Sequence, residues 1–150
     1  QNPYHAFKTH HVLIPKTVFN QIPFDESITG YGHEDSLYGI QLKEQGFPII
    51  HLDNPLNHDG LESTALFIQK IENSIQNLCQ INSPETVLET KLWLTYMRVR
   101  KLGITYILNK CSNPILRICG KNLQSNRPLL FVLDLYKLTF LCTICPKKRK

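Results

Sequence analysis

The residues best suited to chemistry form one run, from Phe24 to Asp35, in which two glycines flank a tyrosine and precede a histidine and two adjacent carboxylates. Glycine lets a backbone come close to a ligand. Glu34 and Asp35 begin a predicted helix, where the free N–H groups and the helix dipole favour ionised carboxylates. Such a carboxylate can take a proton from a substrate hydroxyl. Because acids are common at helix starts, the spacing by itself favours a purely structural role.

A second candidate is His58, in the run from Asn54 to Gly60. It follows a predicted strand end and a turn, where sites on α/β sheets usually lie. A neutral imidazole at such a place can bind a divalent cation. Taken alone, His58 is better explained as a histidine of a surface loop.

The elements that must position these residues change character at Gly60. Before it, short apolar runs alternate with chain breakers, which is typical of strands, turns and short helices. The elements predicted there are buried strands at 12–14 and 49–52 and helices at 16–21 and 34–45. After it, apolar residues recur at the spacing of one helix face, and further helices are predicted at 61–81, 83–102, 104–123 and 129–145. The sequence therefore predicts an α/β piece followed by a mostly helical extension.

The charges divide the chain in a similar way. Residues 1–90 carry four bases and eleven acids, whereas residues 91–150 carry thirteen bases and one acid, Asp134.

The apolar run 129–145 contains two charges and is shorter than a membrane-spanning helix, so a packed or interfacial helix is expected. The basic residues at 146–150 can hold such a helix to anionic lipid, and a solvated tail is equally consistent. Nothing in the basic half resembles a nucleic-acid recognition module, so no nucleic-acid partner is expected.

The five cysteines are odd in number, and none precedes Cys79, so they do not form a disulfide framework. A reducing compartment is the simpler interpretation, and a cytoplasmic location is expected. Cys142 and Cys145 form a lone C-x-x-C motif. Because no second pair or paired histidine follows, ordinary apolar cysteines on a helix are expected there and a zinc site is not.

Four runs, placed in one order and spacing, resemble family-two glycosyltransferases with the GT-A fold. They are PFDE at 23–26, GYGHED at 30–35, GFPI at 46–49 and NPLNHDGLE at 54–62. They match the second half of the catalytic domain in bacterial members, and the resemblance covers about residues 4–80. It implies a partial GT-A domain over residues 1–82, of α/β class, and a basic helical extension over residues 83–150.

The resemblance also implies an activity. That family moves a sugar from a nucleotide-sugar donor to an acceptor hydroxyl, with inversion, and a glycan or lipid-linked acceptor and a divalent cation (Mn²⁺ or Mg²⁺) are expected with it. Asp35 would be the general base, and Glu34 would shape the acceptor site. The resemblance implies that Tyr31, Gly32 and His33 form the loop over the acceptor. It also implies that His58 helps to bind the metal–diphosphate unit.

One departure qualifies this prediction. The family holds its donor with an upstream Asp-x-Asp motif, and neither that motif nor a glycine-rich phosphate loop occurs in this sequence. The chain is therefore expected to begin within a catalytic domain and to be inactive in isolation. The alternative from another class is a non-catalytic module that binds membranes or polyanions through residues 91–150. A peripheral contact with the inner face of the plasma membrane is compatible with both.

Overall fold

The computed structural model describes residues 3–26, 30–57, 59–60, 62–80 and 90–145. Within these ranges the chain forms seven α-helices and no strand. Two short 3-10 turns, Pro3–Ala6 and Thr9–His11, precede the first of them. The α-helices are α1 (Lys16–Gln21), α2 (Glu34–Glu44), α3 (Thr64–Gln80), α4 (Lys91–Lys101), α5 (Ile104–Lys110), α6 (Ser112–Leu123) and α7 (Leu130–Ile144).

The predicted α/β class is wrong for the described residues, which are helical. Residues 12–14 and 49–52, expected as buried strands, form neither helix nor strand, and Leu13 is 96% exposed. Ile50 and Leu52 are each 81% exposed. An extended segment becomes a strand only when another backbone pairs with it, and the described ranges offer these two segments no paired strand. The partial GT-A fold, which requires a central sheet, is contradicted by the same observation.

The helical predictions are largely confirmed, because helix limits depend on local residue types. Helix α1 spans the predicted 16–21, and α2 begins at Glu34 as expected. The single helix expected over 104–123 is divided at Cys111 into α5 and α6. Pro114 explains the division, since a proline tolerated in the first turn of α6 would clash with the carbonyl of Lys110 in a continuous helix. The helix start predicted at 83–85 lies outside the described residues.

Three buried clusters hold the helices together. The first surrounds α2 and contains Phe7, Ile22, Tyr38 and Leu42. The other two share helices α3 and α7. One of them adds α6 and contains Ile68, Cys119, Leu123, Val132 and Tyr136. The other adds α4 and contains Ile75, Tyr96, Leu141 and Cys142.

Helix α7 lies at the centre of the basic half. It packs against α3, α4, α5 and α6, and both Leu141 and Thr139 are completely buried. Of the two alternatives expected for the apolar run 129–145, a packed or an interfacial helix, this burial supports the packed one. Across the described ranges, none of the helices combines the length and the apolar character that crossing a bilayer requires.

Candidate functional site

Asp35 lies in the first turn of α2 and is held there by a residue distant in sequence. Its Oδ1 atom accepts a hydrogen bond from the backbone N–H of Thr9, at 3.1 Å, and a second one from the Thr9 hydroxyl. Hydrogen bonds to an ionised carboxylate are stronger than those between neutral groups. The Asp35 side chain is therefore oriented by Thr9, is only partly buried, and has an alcohol at hydrogen-bonding distance.

Neighbouring Glu34 differs from Asp35 in its surroundings. Its Oε2 atom is buried and has no hydrogen-bond partner in the structure. Leaving a buried polar group unsatisfied costs about 1–3 kcal/mol, and more when the group is charged. Such an atom is unusual in a folded protein, and it lies one residue from the oriented carboxylate of Asp35.

His33 immediately precedes α2 and adopts the left-handed conformation, with φ of 75°. Its backbone carbonyl accepts the first helical bond, from the N–H of Leu37 at 3.0 Å. Burial lowers the pKa of the His33 imidazole, and nearby Lys8 acts in the same direction. Glu34 and a hydrogen bond to the Ser74 backbone oppose this change without reversing it. His33 is therefore a neutral imidazole at pH 7, able to donate through one nitrogen and to accept through the other.

The backbone before His33 is fixed by α3. The side-chain amide of Asn77, which is buried, donates to the carbonyls of Tyr31 and Gly32 at 3.2 and 3.3 Å. Gly32 has φ of 99°, and a Cβ at this position would lie 2.5 Å from the Ser74 hydroxyl oxygen. The segment 31–33 therefore depends on glycine at position 32 and on two polar side chains of α3.

Tyr31 supplies an exposed aromatic surface beside these polar groups. Half of its surface is accessible to solvent, and the Lys70 ammonium lies 5.1 Å from the ring centroid. That distance is within the range of a cation–π contact. Lys70 also forms an ion pair with Glu62. The exposed ring offers an apolar face against which a sugar ring can pack.

The five residues predicted from 31 to 35 thus lie together at the start of α2, whereas His58 lies outside the described residues. Sequence reasoning missed Thr9, Ser74 and Asn77. Thr9 gives no signal in the sequence, because its contact with Asp35 spans 26 residues. Ser74 and Asn77 lie beside the apolar series of α3 without interrupting it, so the sequence gives no signal for them either.

The expected Mn²⁺ or Mg²⁺ site has no counterpart in the described ranges. No group of three histidine, cysteine, aspartate or glutamate side chains there can hold a metal ion. Divalent cations of this kind take several oxygen ligands, which Asp35 and Glu34 do not supply by themselves. The cation stays a prediction, because His58, the ligand expected for it, lies outside the described residues.

Comparison with protein-family models, with curated proteins and with solved structures finds no match to this chain. The resemblance to family-two glycosyltransferases is thus unsupported by the comparisons and is contradicted by the helical architecture. What the start of α2 can do must follow from its own geometry.

The basic half presents a second candidate surface, the α4–α5 corner, defined as residues 98–110. It carries two arginines and two lysines and no acid. Its large apolar side chains are unusually exposed: Leu102 is 73% exposed, Tyr106 64% and Ile107 60%. Bases next to exposed apolar side chains are typical of surfaces that lie in the interface of an anionic membrane.

Proposed function

We propose that this chain binds the acceptor in a glycosyl transfer and that Asp35 takes the proton of the acceptor hydroxyl. The observation that carries the proposal is the double hydrogen bond from Thr9 to Oδ1 of Asp35. The two bonds from Thr9 fix the orientation of the Asp35 carboxylate. Because both bonds end on Oδ1, we assign the other oxygen, Oδ2, to the hydroxyl of the incoming acceptor.

In this proposal the acceptor oxygen forms a bond to the anomeric carbon of a nucleotide-sugar as the bond from that carbon to the diphosphate breaks. The hydroxyl proton moves to Asp35, because a neutral alcohol is a weak nucleophile. Attack on the face opposite the leaving group inverts the anomeric carbon.

The residues around Asp35 have separate positioning roles. Tyr31 offers its exposed ring to the acceptor sugar, and the neutral His33, whose N–H is bonded to the Ser74 backbone, offers its other ring nitrogen as an acceptor to a sugar hydroxyl. Glu34 contributes an oxygen without a hydrogen-bond partner. A glycan or a lipid-linked sugar provides hydroxyls that match these groups.

The test is a transfer assay on the complete polypeptide encoded by the gene, with nucleotide-sugars and a panel of acceptor glycans. Asp35→Asn keeps the shape of the side chain and removes its basicity, so turnover should fall about 10²–10⁴-fold. Glu44→Gln, at the exposed far end of α2, is the matched control and should retain turnover. Near-normal turnover of Asp35→Asn would remove Asp35 from the role of base.

A second function is favoured by the α4–α5 corner: peripheral binding to an anionic membrane. Each base near such a surface contributes about 1 kcal/mol, and the exposed apolar side chains can enter the interface. Binding there is compatible with a lipid-linked acceptor and does not depend on the role of Asp35.

Vesicle cosedimentation tests this second function. Leu102→Ser with Ile107→Ser should weaken binding to vesicles that contain phosphatidylserine and leave binding to heparin unchanged, because a polyanion has no apolar interior. Ile118→Ser, which alters an exposed apolar residue on α6, is the control. Undiminished binding of the double variant to both vesicles and heparin would show that only the bases act and would favour the polyanion, and the absence of vesicle binding by the unaltered chain would exclude this function.

A further inference from the structure

Two cysteines that are distant in the sequence have adjacent side chains. Cys79 lies near the end of α3, and Cys145 directly follows α7. The Cys79 thiol donates a hydrogen bond to Cys145, with the two sulfur atoms 2.8 Å apart. In a disulfide the sulfur atoms are about 2.05 Å apart, so bond formation requires a movement of less than about 1 Å.

We propose that Cys79 and Cys145 are a redox modification site, which a low-molecular-weight disulfide such as oxidised glutathione converts into an intramolecular disulfide. The other cysteines lack this arrangement. Cys111 is exposed at the junction of α5 and α6, and Cys119 is buried in another cluster. Cys142 is buried within α7, three residues before Cys145.

The chemistry balances in two exchanges. A thiolate of the pair attacks one sulfur of oxidised glutathione, which breaks the glutathione disulfide, releases one glutathione thiol and leaves a mixed disulfide on the protein. The second protein thiolate then attacks the protein sulfur of that mixed disulfide and releases the second glutathione thiol. The two protein thiols lose two electrons and two protons, and oxidised glutathione gains both.

The surroundings determine how the pair behaves in a reducing compartment. The hydrogen bond to Cys145 and burial raise the pKa of the Cys79 thiol, and burial raises the pKa of the Cys142 thiol to about 11. Thiols with raised pKa values react slowly, because the thiolate is the attacking species. The exchange should therefore be slow at neutral pH and become faster as the pH rises.

The modification also joins elements that serve the candidate site. Cys79 follows Asn77 by two residues on α3, and Asn77 holds the carbonyls of Tyr31 and Gly32. At the other end, the backbone carbonyl of Cys145 accepts a hydrogen bond from the Tyr96 hydroxyl of α4, at 3.2 Å. A disulfide between residues 79 and 145 would therefore fix the end of α3 to α7 next to an existing contact with α4.

The experiment incubates the reduced chain with oxidised glutathione, blocks the remaining thiols and maps the tryptic peptides by mass spectrometry. Cleavage after Lys70, Lys91, Lys137 and Lys147 places Cys79 in peptide 71–91 and Cys145 in peptide 138–147. The expected product is a cross-link between these two peptides. A chain that yields only glutathione adducts, or a disulfide contained within peptide 138–147, would overturn the proposal, and this measurement needs no variant.

Variants then identify the sulfur atoms. Cys145→Ser should abolish the cross-link and Cys142→Ser should retain it, which separates the two cysteines of peptide 138–147. Cys111→Ser, at an exposed position, is the matched control and should also retain it. A cross-link that survives in Cys145→Ser and disappears in Cys142→Ser would assign the modification to another pair and contradict the proposal.

Discussion

Thr9 and Asp35, 26 residues apart, are joined by two hydrogen bonds that end on the same carboxylate oxygen, from the backbone N–H at 3.1 Å and from the hydroxyl at 2.5 Å. The contact connects the second 3-10 turn to the start of α2. It therefore orients the proposed base and joins two segments that lie next to Phe7 and Tyr38 of the first buried cluster.

The first prediction concerns the contribution of the Thr9 hydroxyl to stability. Thr9→Val removes the hydroxyl and keeps the N–H bond, so the free energy of unfolding should fall by about 1–2 kcal/mol, as for a hydrogen bond to a charged group at a partly exposed position. Urea denaturation measures the change, and Thr9→Ser, which keeps the hydroxyl, should stay close to the unaltered chain. A Thr9→Val variant that is as stable as the unaltered chain would show that the hydroxyl does not stabilise the contact, and a loss confined to Thr9→Ser would assign the stabilisation to the methyl group.

The second prediction concerns Gly32, whose backbone is left-handed and close to α3. Gly32→Ala places a Cβ 2.5 Å from the Ser74 hydroxyl oxygen at φ of 99°, so it should displace the segment 31–33 and cost about 2 kcal/mol or more. Gly30→Ala is the matched control, because φ is 86° there and nothing lies within 4 Å of the added Cβ. Thermal unfolding compares the two.

Ser74→Gly in the Gly32→Ala background removes the two nearest atoms of Ser74 and should recover part of the lost stability. If Gly30→Ala and Gly32→Ala cost the same, the left-handed backbone alone would account for the effect and the contact with Ser74 would be irrelevant.

Local features of the sequence predict more of this molecule than long-range ones do. The limits of α1 and the start of α2 follow from residues that lie within one turn of each boundary. The division at Cys111 could have been predicted from Pro114, because the proline effect is also local. By contrast, apolar runs such as 49–52 predict burial in a sheet only if a pairing strand exists, and a run of this kind carries no information on its partner.

For the candidate site too, the sequence predicts local features better than long-range contacts. Its continuous part, from Tyr31 to Asp35, is identified by residue type and order. Its supporting residues, Thr9 and Asn77, reach it from 26 and 45 or more positions away. Contacts of that separation depend on how α2 and α3 pack, which the spacing of residues along one element does not determine.

The third prediction is a pH dependence that arises from His33. Its pKa is lowered in the folded chain and is near 6.5 in the unfolded chain, so the unfolded state binds more protons at mildly acid pH. The contribution of His33 to the free energy of unfolding should therefore be constant above about pH 6.5. It should decrease as the pH falls from about 6.5 towards the lowered pKa of the folded chain.

His33→Asn tests the assignment, because asparagine tolerates the left-handed conformation and does not titrate. Urea denaturation at a series of pH values should show a shallower acid loss in the variant than in the unaltered chain. His10→Asn, at an exposed position, is the control and should give the pH profile of the unaltered chain. Identical pH profiles for His33→Asn and the unaltered chain would contradict the prediction.

The fourth prediction follows from the adjacency of Cys79 and Cys145. A disulfide there would close a loop of about 65 residues, and the lost freedom of the unfolded chain should raise the free energy of unfolding by about 2–4 kcal/mol. For a chain of this length the midpoint of thermal unfolding should rise by roughly 5–15 °C. Differential scanning calorimetry of the oxidised and reduced chain measures both quantities, and oxidised Cys145→Ser should unfold at the same temperature as its reduced form.

Because the sulfur atoms are already in contact and α7 is held in the core by Leu141, the native state should accept the bond without repacking. A lower midpoint after oxidation would mean that bond formation strains the end of α3, in which case the hydrogen bonds from Asn77 to the 31–33 segment should weaken as well.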